Sequence, residues 1–181
     1  MPVTERWTET PPSWAVPVTV ASVPVLVRSP AVLVYVAPIW AYPTGFLFSL
    51  VTSMTPGHAT DPHLDFRDHL AGKAVLRARL QVRFGGKVLD STGPTPGTTA
   101  AGQPVLRYCG GHSTTSNGHP DPHHVNRWWV SPLPQAGHID IAVWFPIPDG
   151  LHGAAQIDAG RLLSAARLST VLRDTQEADP Q

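Results

Sequence analysis

The run SPAVLVYVAPIWAYPTGFLFSLVTSM, from Ser29 to Met54, contains no Asp, Glu, Lys, Arg or His. It is long enough to cross a bilayer, whose core needs about 20 consecutive apolar residues in a helix. Pro30, Pro38 and Pro43 fall inside it. Each removes a backbone donor and clashes with the preceding turn, at roughly 3 kcal/mol in a helix interior. Broken spans are tolerated only where neighbouring helices cover the break, and the sequence offers no second candidate span. Between the prolines, Val32, Val34 and Val36 share one face of an extended chain and Leu33 and Tyr35 share the other. Both faces are apolar, the signature of a strand covered on both sides. After Tyr42-Pro43-Thr44-Gly45, Phe46, Phe48 and Leu50 alternate with Leu47, Ser49 and Val51, the period of a second strand. Two core strands joined by a proline-rich bend are therefore expected, and no membrane association.

A chain of 181 residues can bury a sizeable core without disulfide or metal support. The expected organisation is a loose N-terminal arm over residues 1–14, a single β-sandwich domain over 15–173 and a disordered tail over 174–181. Lys and Arg total 13, as do Asp and Glu, and zero net charge gives no steering toward nucleic acid or acidic membranes. Nine histidines make the charge depend on pH near their usual pKa of about 6.5. The lone Cys109 excludes an intramolecular disulfide and a cysteine-rich zinc site and fits a reducing compartment. The start MPVTERWTETPPSW lacks the basic patch and apolar run of a signal peptide, so a cytoplasmic location is expected.

Along the chain, the apolar parity switches between Val16–Val20 and Val23–Val27, which suggests a bulge or crossover, and Pro17 and Pro24 place this region at a sheet edge. In VLRARLQVRF, Leu76, Ala78, Leu80, Val82 and Phe84 point one way and Arg77, Arg79, Gln81 and Arg83 the other. Gly85-Gly86 suits a two-residue hairpin. A short strand over Val105–Tyr108 is expected to lead into a loop, CGGHSTTSNGHPDPHH. Val125–Val130 and His138–Phe145 read as a hairpin joined by SPLPQAG. Asp158 can cap a helix over AGRLLSAARLSTVLR, with Leu162, Ala165, Ala166, Ser169 and Leu172 as its apolar stripe. The pattern as a whole predicts a mainly β protein: an antiparallel β-sandwich of about seven to nine strands, or a partly closed barrel, with one C-terminal α-helix.

The histidine-rich segments are the most suggestive chemical feature. His112, His119, Asp121, His123 and His124 are zinc-ligand types, and GHATDPH, with His58 and His63, echoes GHPDPH. Pro120 and Pro122 work against a site, because they favour polyproline backbone, whose threefold period splays His119, Asp121 and His123. A solvated loop is the preferred reading. Cys109 and His112 share a segment, but catalytic pairs are usually assembled by the fold, and no nucleophile elbow or phosphate-binding glycine loop is present. The row Arg77, Arg79 and Arg83 could hold acidic groups of a partner, but is better read as a wet strand face balanced by acidic neighbours. Trp128 and Trp129 must face opposite sides of a strand, and Trp144 leaves the main core by parity, so these three are candidates for an aromatic patch.

The motifs Tyr42-Pro43-Thr44-Gly45-Phe46, Phe84-Gly85-Gly86-Lys87, Trp129-Val130-Ser131-Pro132-Leu133-Pro134 and Trp144-Phe145-Pro146, with the helix after Asp158, resemble a family of uncharacterised actinobacterial proteins of unknown function. That resemblance implies one compact domain with Trp and Pro-Leu-Pro as structural signatures, and implies no enzyme activity. The leading functional expectation is a non-catalytic binding or protein-interaction module with no cofactor, whose partner is another protein and not nucleic acid. The alternative is a zinc-dependent hydrolase built on the two histidine segments.

Overall fold

A computed structural model of the chain describes residues 10–55, 78–92, 103–114, 123–145 and 150–171. The described residues form twelve strands and one helix, and all strand pairings are antiparallel. The larger sheet is organised by β4 (Val32–Tyr42) and β5 (Gly45–Met54), the two strands expected from the uncharged run. Beyond β5 come β9 (His123–Ser131) and β8 (Val105–Thr114); on the other side of β4 lie β2 (Val18–Val20) and β3 (Val25–Arg28). The smaller sheet runs in the order β11 (His152–Asp158), β10 (His138–Trp144), β6 (Arg79–Phe84), β7 (Lys87–Asp90). A two-stranded pair, β1 (Ala15–Val16) with β12 (Thr170–Val171), completes the described structure. Among the described residues, the two main sheets are not joined by strand pairing into a barrel.

Alternation assigns the core. Val32, Val34, Val36, Ile39, Ala41, Phe46, Phe48 and Leu50 from the larger sheet meet Leu80, Val82, Ile139, Ile141 and Val143 from the smaller one. Val36 and Ile39 are three residues apart yet share a face, because one extra residue at Ala37–Pro38 shifts the β4–β5 register: Val36 pairs with Leu50 and Ile39 with Phe48. On the opposite edge of β4, β2 pairing ends at Val20 with Ile39 and β3 pairing begins at Val25 with Tyr35. Pro38, which has no N–H to offer, thus sits opposite the gap between β2 and β3. The parity switch expected near Ala21 and Ser22 falls later: Val23 and Val25 are exposed, and a register shift between Val25 and Val27 turns Val27 into the core. Both short strands lie at the edge of the sheet, as Pro17 and Pro24 suggested.

The helix α1 (Ala159–Leu168) starts where expected. Asp158 Oδ1 accepts the Gly160 N–H at 2.8 Å, and Ala159, Leu162, Ala165 and Ala166 are buried against β2 and β4. It stops earlier than its composition suggested, since Thr170–Val171 pairs with β1. Leu172 lies outside the described residues.

Several other expectations are corrected. SPLPQAG does not close a hairpin: β9 belongs to the larger sheet and β10 to the smaller, so this segment crosses between layers, with Leu133 packed on the core and Gly137 at φ 89°. Strand β8 continues through CGGHST, and β9 already includes His123 and His124. Backbone pairing holds this polar sequence in the sheet, and a register shift between Tyr108 and Gly111, with Gly110 at φ 100°, absorbs the irregularity. Strand β11 had no expectation at all, because HGAAQID has too few large apolar residues to reveal its period. The strand count also exceeds the expected seven to nine.

Two glycines set how closely the elements approach. A Cβ on Gly153 would lie 1.9 Å from the Leu26 carbonyl oxygen, where β11 meets β3; one on Gly45 would lie 2.3 Å from the Val130 carbonyl oxygen and 2.6 Å from the Trp129 ring. Both obstacles are backbone or a buried ring. Gly153→Ala and Gly45→Ala should each lose on the order of 1–3 kcal/mol in denaturant unfolding, the usual range for overpacking. An unchanged midpoint for either would contradict the close approach.

Candidate functional site

Strand alternation distributes the expected metal ligands. His123 and His124 are successive on β9 and so face opposite sides of the larger sheet, while His112 pairs with Val125 and is exposed. No cluster of three or more His, Cys, Asp or Glu that could hold a metal is found among the described residues. His58, His63, His119 and Asp121 lie outside them. The pairing register does make neighbours of the strand ends that flank both segments: Ser53 pairs with His123, and His123 with Thr114. On the inner face near this end, Tyr108 Oη is 3.4 Å from Asn126 Oδ1. Thr52 Oγ1, Asn126 Nδ2 and, on the outer face, His123 Nδ1 are buried without a hydrogen-bond partner among the described residues.

The arginine row is a balanced strand face. Arg79 forms an ion pair with Asp90 and donates to it through Nε at 2.6 Å. Arg83 donates to Gln81 Oε1 at 2.6 and 2.9 Å, and Gln81 Nε2 donates to Asp90 at 3.2 Å. Gln81, assigned to the wet face, is buried within this network. The Arg79 guanidinium lies 5.8 Å from the centroid of the Trp144 ring, so the partly exposed Trp144 is already engaged. Arg77 lies outside the described residues. Burial raises the Asp90 pKa, but the Arg79, Thr92 and Gln81 hydrogen bonds outweigh it and hold the carboxyl at about 2.

A depressed carboxyl pKa stabilises the fold above the unfolded value of about 3.9, and that contribution is lost as the pH falls through the folded value. The melting-temperature gap between the parent and Asp90→Asn should accordingly be constant above about pH 5 and shrink toward pH 2. A gap independent of pH down to that limit would show that the ion pair does not set the Asp90 pKa.

The two adjacent tryptophans do take opposite faces, but neither is exposed. Trp128 belongs to the inner core, and Trp129 is fully buried on the outer face of the larger sheet, apart from that core. Tyr42 packs edge-on against Trp129 with centroids 5.4 Å apart, and Ser131 Oγ donates to the Thr44 carbonyl at 2.9 Å, tying the β4–β5 turn to β9.

Around this anchored pair the outer face forms a shallow recess of about 230 Å3, lined by Pro17, Trp40, Tyr42, Leu47 and Arg127. Register explains the grouping: Trp40 pairs with Leu47, Leu47 with Trp129, and Ser49 with Arg127, so all point away from the core. Trp40, Tyr42 and Leu47 are half-buried and Arg127 is exposed. Burial, and then the nearby Cys109, push the Tyr42 phenol up; burial likewise pushes the Cys109 thiol up, despite Arg107. Both groups are therefore protonated at neutral pH, and Cys109 is a packed thiol and not an activated nucleophile. The residues of this recess were missed because two apolar faces were read as two covered faces. The available signal was Trp40 and Tyr42, two residues apart on one strand, matched by the outward parity of Arg127.

No helix among the described residues is long and apolar enough to cross a membrane. No protein-family model, curated protein or solved structure matches the chain.

Proposed function

We propose that the chain is a non-catalytic binding module that engages a partner protein on the outer face of its larger sheet. The observation that carries this reading is the recess of Pro17, Trp40, Tyr42, Leu47 and Arg127. Tryptophan, tyrosine and arginine are the residue types that dominate binding energy at protein interfaces. Here they stand on paired strands, a rigid base that costs little to order on binding. The protonated, packed state of Cys109 supports a binding role over covalent catalysis.

A photo-crosslinking residue placed at Leu47, in the recess, should capture a defined partner in cells. The same residue at Val88, which is 55% exposed on the smaller sheet, should not. Trp40→Ala should abolish the Leu47 adduct while leaving the melting temperature within about 1 kcal/mol equivalent of the parent. Equal capture from both positions would refute the assignment of the face.

One observation favours the alternative, a zinc-dependent hydrolase: the strand ends flanking the segments with His58, His63, His119 and Asp121 are neighbours, beside His123 and His124. Elemental analysis of tag-free protein decides between the readings. The binding-module reading expects less than about one equivalent of zinc, because ligands ordered only on binding lose entropy that a preformed site does not. Stoichiometric zinc that disappears on changing His119, His123 and His124 to Ala would establish the metal site instead.

A further inference from the structure

Charge is divided unequally between the two sheets. The carboxylates among the described residues are Asp90 on β7, Asp140 on β10 and Asp158 at the end of β11. Asp90 is bound to Arg79, and Asp140 Oδ1 accepts from Gln156 at 2.8 Å. The six strands of the larger sheet carry no Asp or Glu. Their cations are Arg28, Arg107 and Arg127, and the pairings of Arg28 with Leu33, Arg107 with Trp129 and Arg127 with Ser49 place all three on the outer face. The Arg127 guanidinium, at the rim of the recess, makes no hydrogen bond or ion pair with the described residues.

From this distribution we infer that the partner segment is an acidic peptide that inserts an aromatic ring between Pro17, Trp40, Tyr42 and Leu47 and places a carboxylate on Arg127. The inference rests on the binding-module reading and names its ligand. A recess of about 230 Å3 has room for one aromatic side chain. Its walls offer ring faces and edges, which favour an aromatic guest over an aliphatic one. A planar guanidinium with spare donors at the rim matches a carboxylate in charge and in fork geometry. Single-stranded nucleic acid fits less well. It needs a cationic track along successive phosphates, whereas Arg28 stands at the far end of this face from Arg107 and Arg127, with Leu33, Tyr35 and Val125 among the residues there, and the chain as a whole has no net charge.

The test uses the isotope-labelled full chain and follows the indole N–H resonances, with Trp40 assigned by its Ala variant. The probes are three peptides of equal length, each with one central Phe flanked by Glu, by Gln or by Lys, and single-stranded oligothymidylate. The Glu peptide should shift the Trp40 resonance, bind more weakly as salt is raised, and lose about tenfold in affinity on Arg127→Gln. The buried Trp128 and Trp129 resonances should stay in place in that variant, which shows that it folds. The Lys peptide should leave Trp40 unmoved. If the three peptides shift Trp40 equally, or Arg127→Gln has no effect, the acidic ligand is refuted while the docking face stands. Stronger binding of the oligonucleotide would replace the peptide by nucleic acid. If no probe moves Trp40, the ligand and the docking face are both refuted.

Discussion

A strand pair that is apolar on both faces cannot lie at the surface of a two-layer protein without something on each side of it. Strands β4 and β5 are such a pair, and most of the fold answers that need. The inner face is covered by the smaller sheet and by α1, whose Ala159, Leu162, Ala165 and Ala166 join the same core as Phe46, Phe48 and Leu50. The outer face has no comparable second layer among the described strands. It is covered in part by its own side chains: Trp129 lies flush with the sheet under the edge-on Tyr42, and Gly45 is small because Trp129 and the Val130 carbonyl leave no room for a Cβ there. The recess beside them is where this self-covering is incomplete.

The outer faces of the two sheets consequently differ in chemistry. On the smaller sheet, Arg79, Asp90, Gln81 and Arg83 form one hydrogen-bonded network and Gln156 bonds Asp140 separately, so these polar groups are satisfied in water and gain little by leaving it. Exposed ion pairs of this sort add little to stability, because water and salt screen them; their effect is to keep the charges of this face occupied. On the larger sheet, half-buried aromatic rings stand beside Arg127, whose donors are unused among the described residues. Desolvating that surface releases the free energy of apolar burial, roughly 25 cal/mol per Å2, and an incoming carboxylate would meet a guanidinium that has no carboxylate partner among the described residues. Among the described residues one face is bonded within itself, and the other is the face on which the proposed partner would dock.

Much of this was legible in the sequence where side-chain period and backbone geometry agree. The alternation in Leu80, Val82 and Phe84 against Arg79 and Arg83, the Gly85-Gly86 turn and the Asp158 cap are local signals, and each recurs in the structure at its expected position. The bulge at Ala37–Pro38 was not visible, and the parity switch read near Ala21 and Ser22 lies instead between Val25 and Val27. What stayed hidden depended on partners distant in sequence. Strand β11 and the polar ends of β8 and β9 are held by backbone pairing, to which side-chain hydropathy gives no clue, and the passage of SPLPQAG between layers cannot be told from a hairpin by local pattern. The recess combines Pro17, Trp40 and Leu47 with Arg127, a grouping that exists only once the order β4, β5, β9 is known. Of the candidate tryptophans, Trp128 and Trp129 are buried on opposite faces of β9 and Trp144 is the exposed one, beside Arg79, while Trp40 and Tyr42 are half-buried at the recess.

A partner can dock on the outer face of the larger sheet only if that face is open while its base is closed. Oxidative footprinting of the tryptophans in the free protein reads this directly, because modification rates follow side-chain accessibility. Trp40 should be modified at a rate approaching that of Trp144, which is 36% exposed, while Trp128 and Trp129, at 2% and 0%, stay protected. Protection of Trp40 to the level of Trp129 would mean that the recess is already filled and would contradict the central claim.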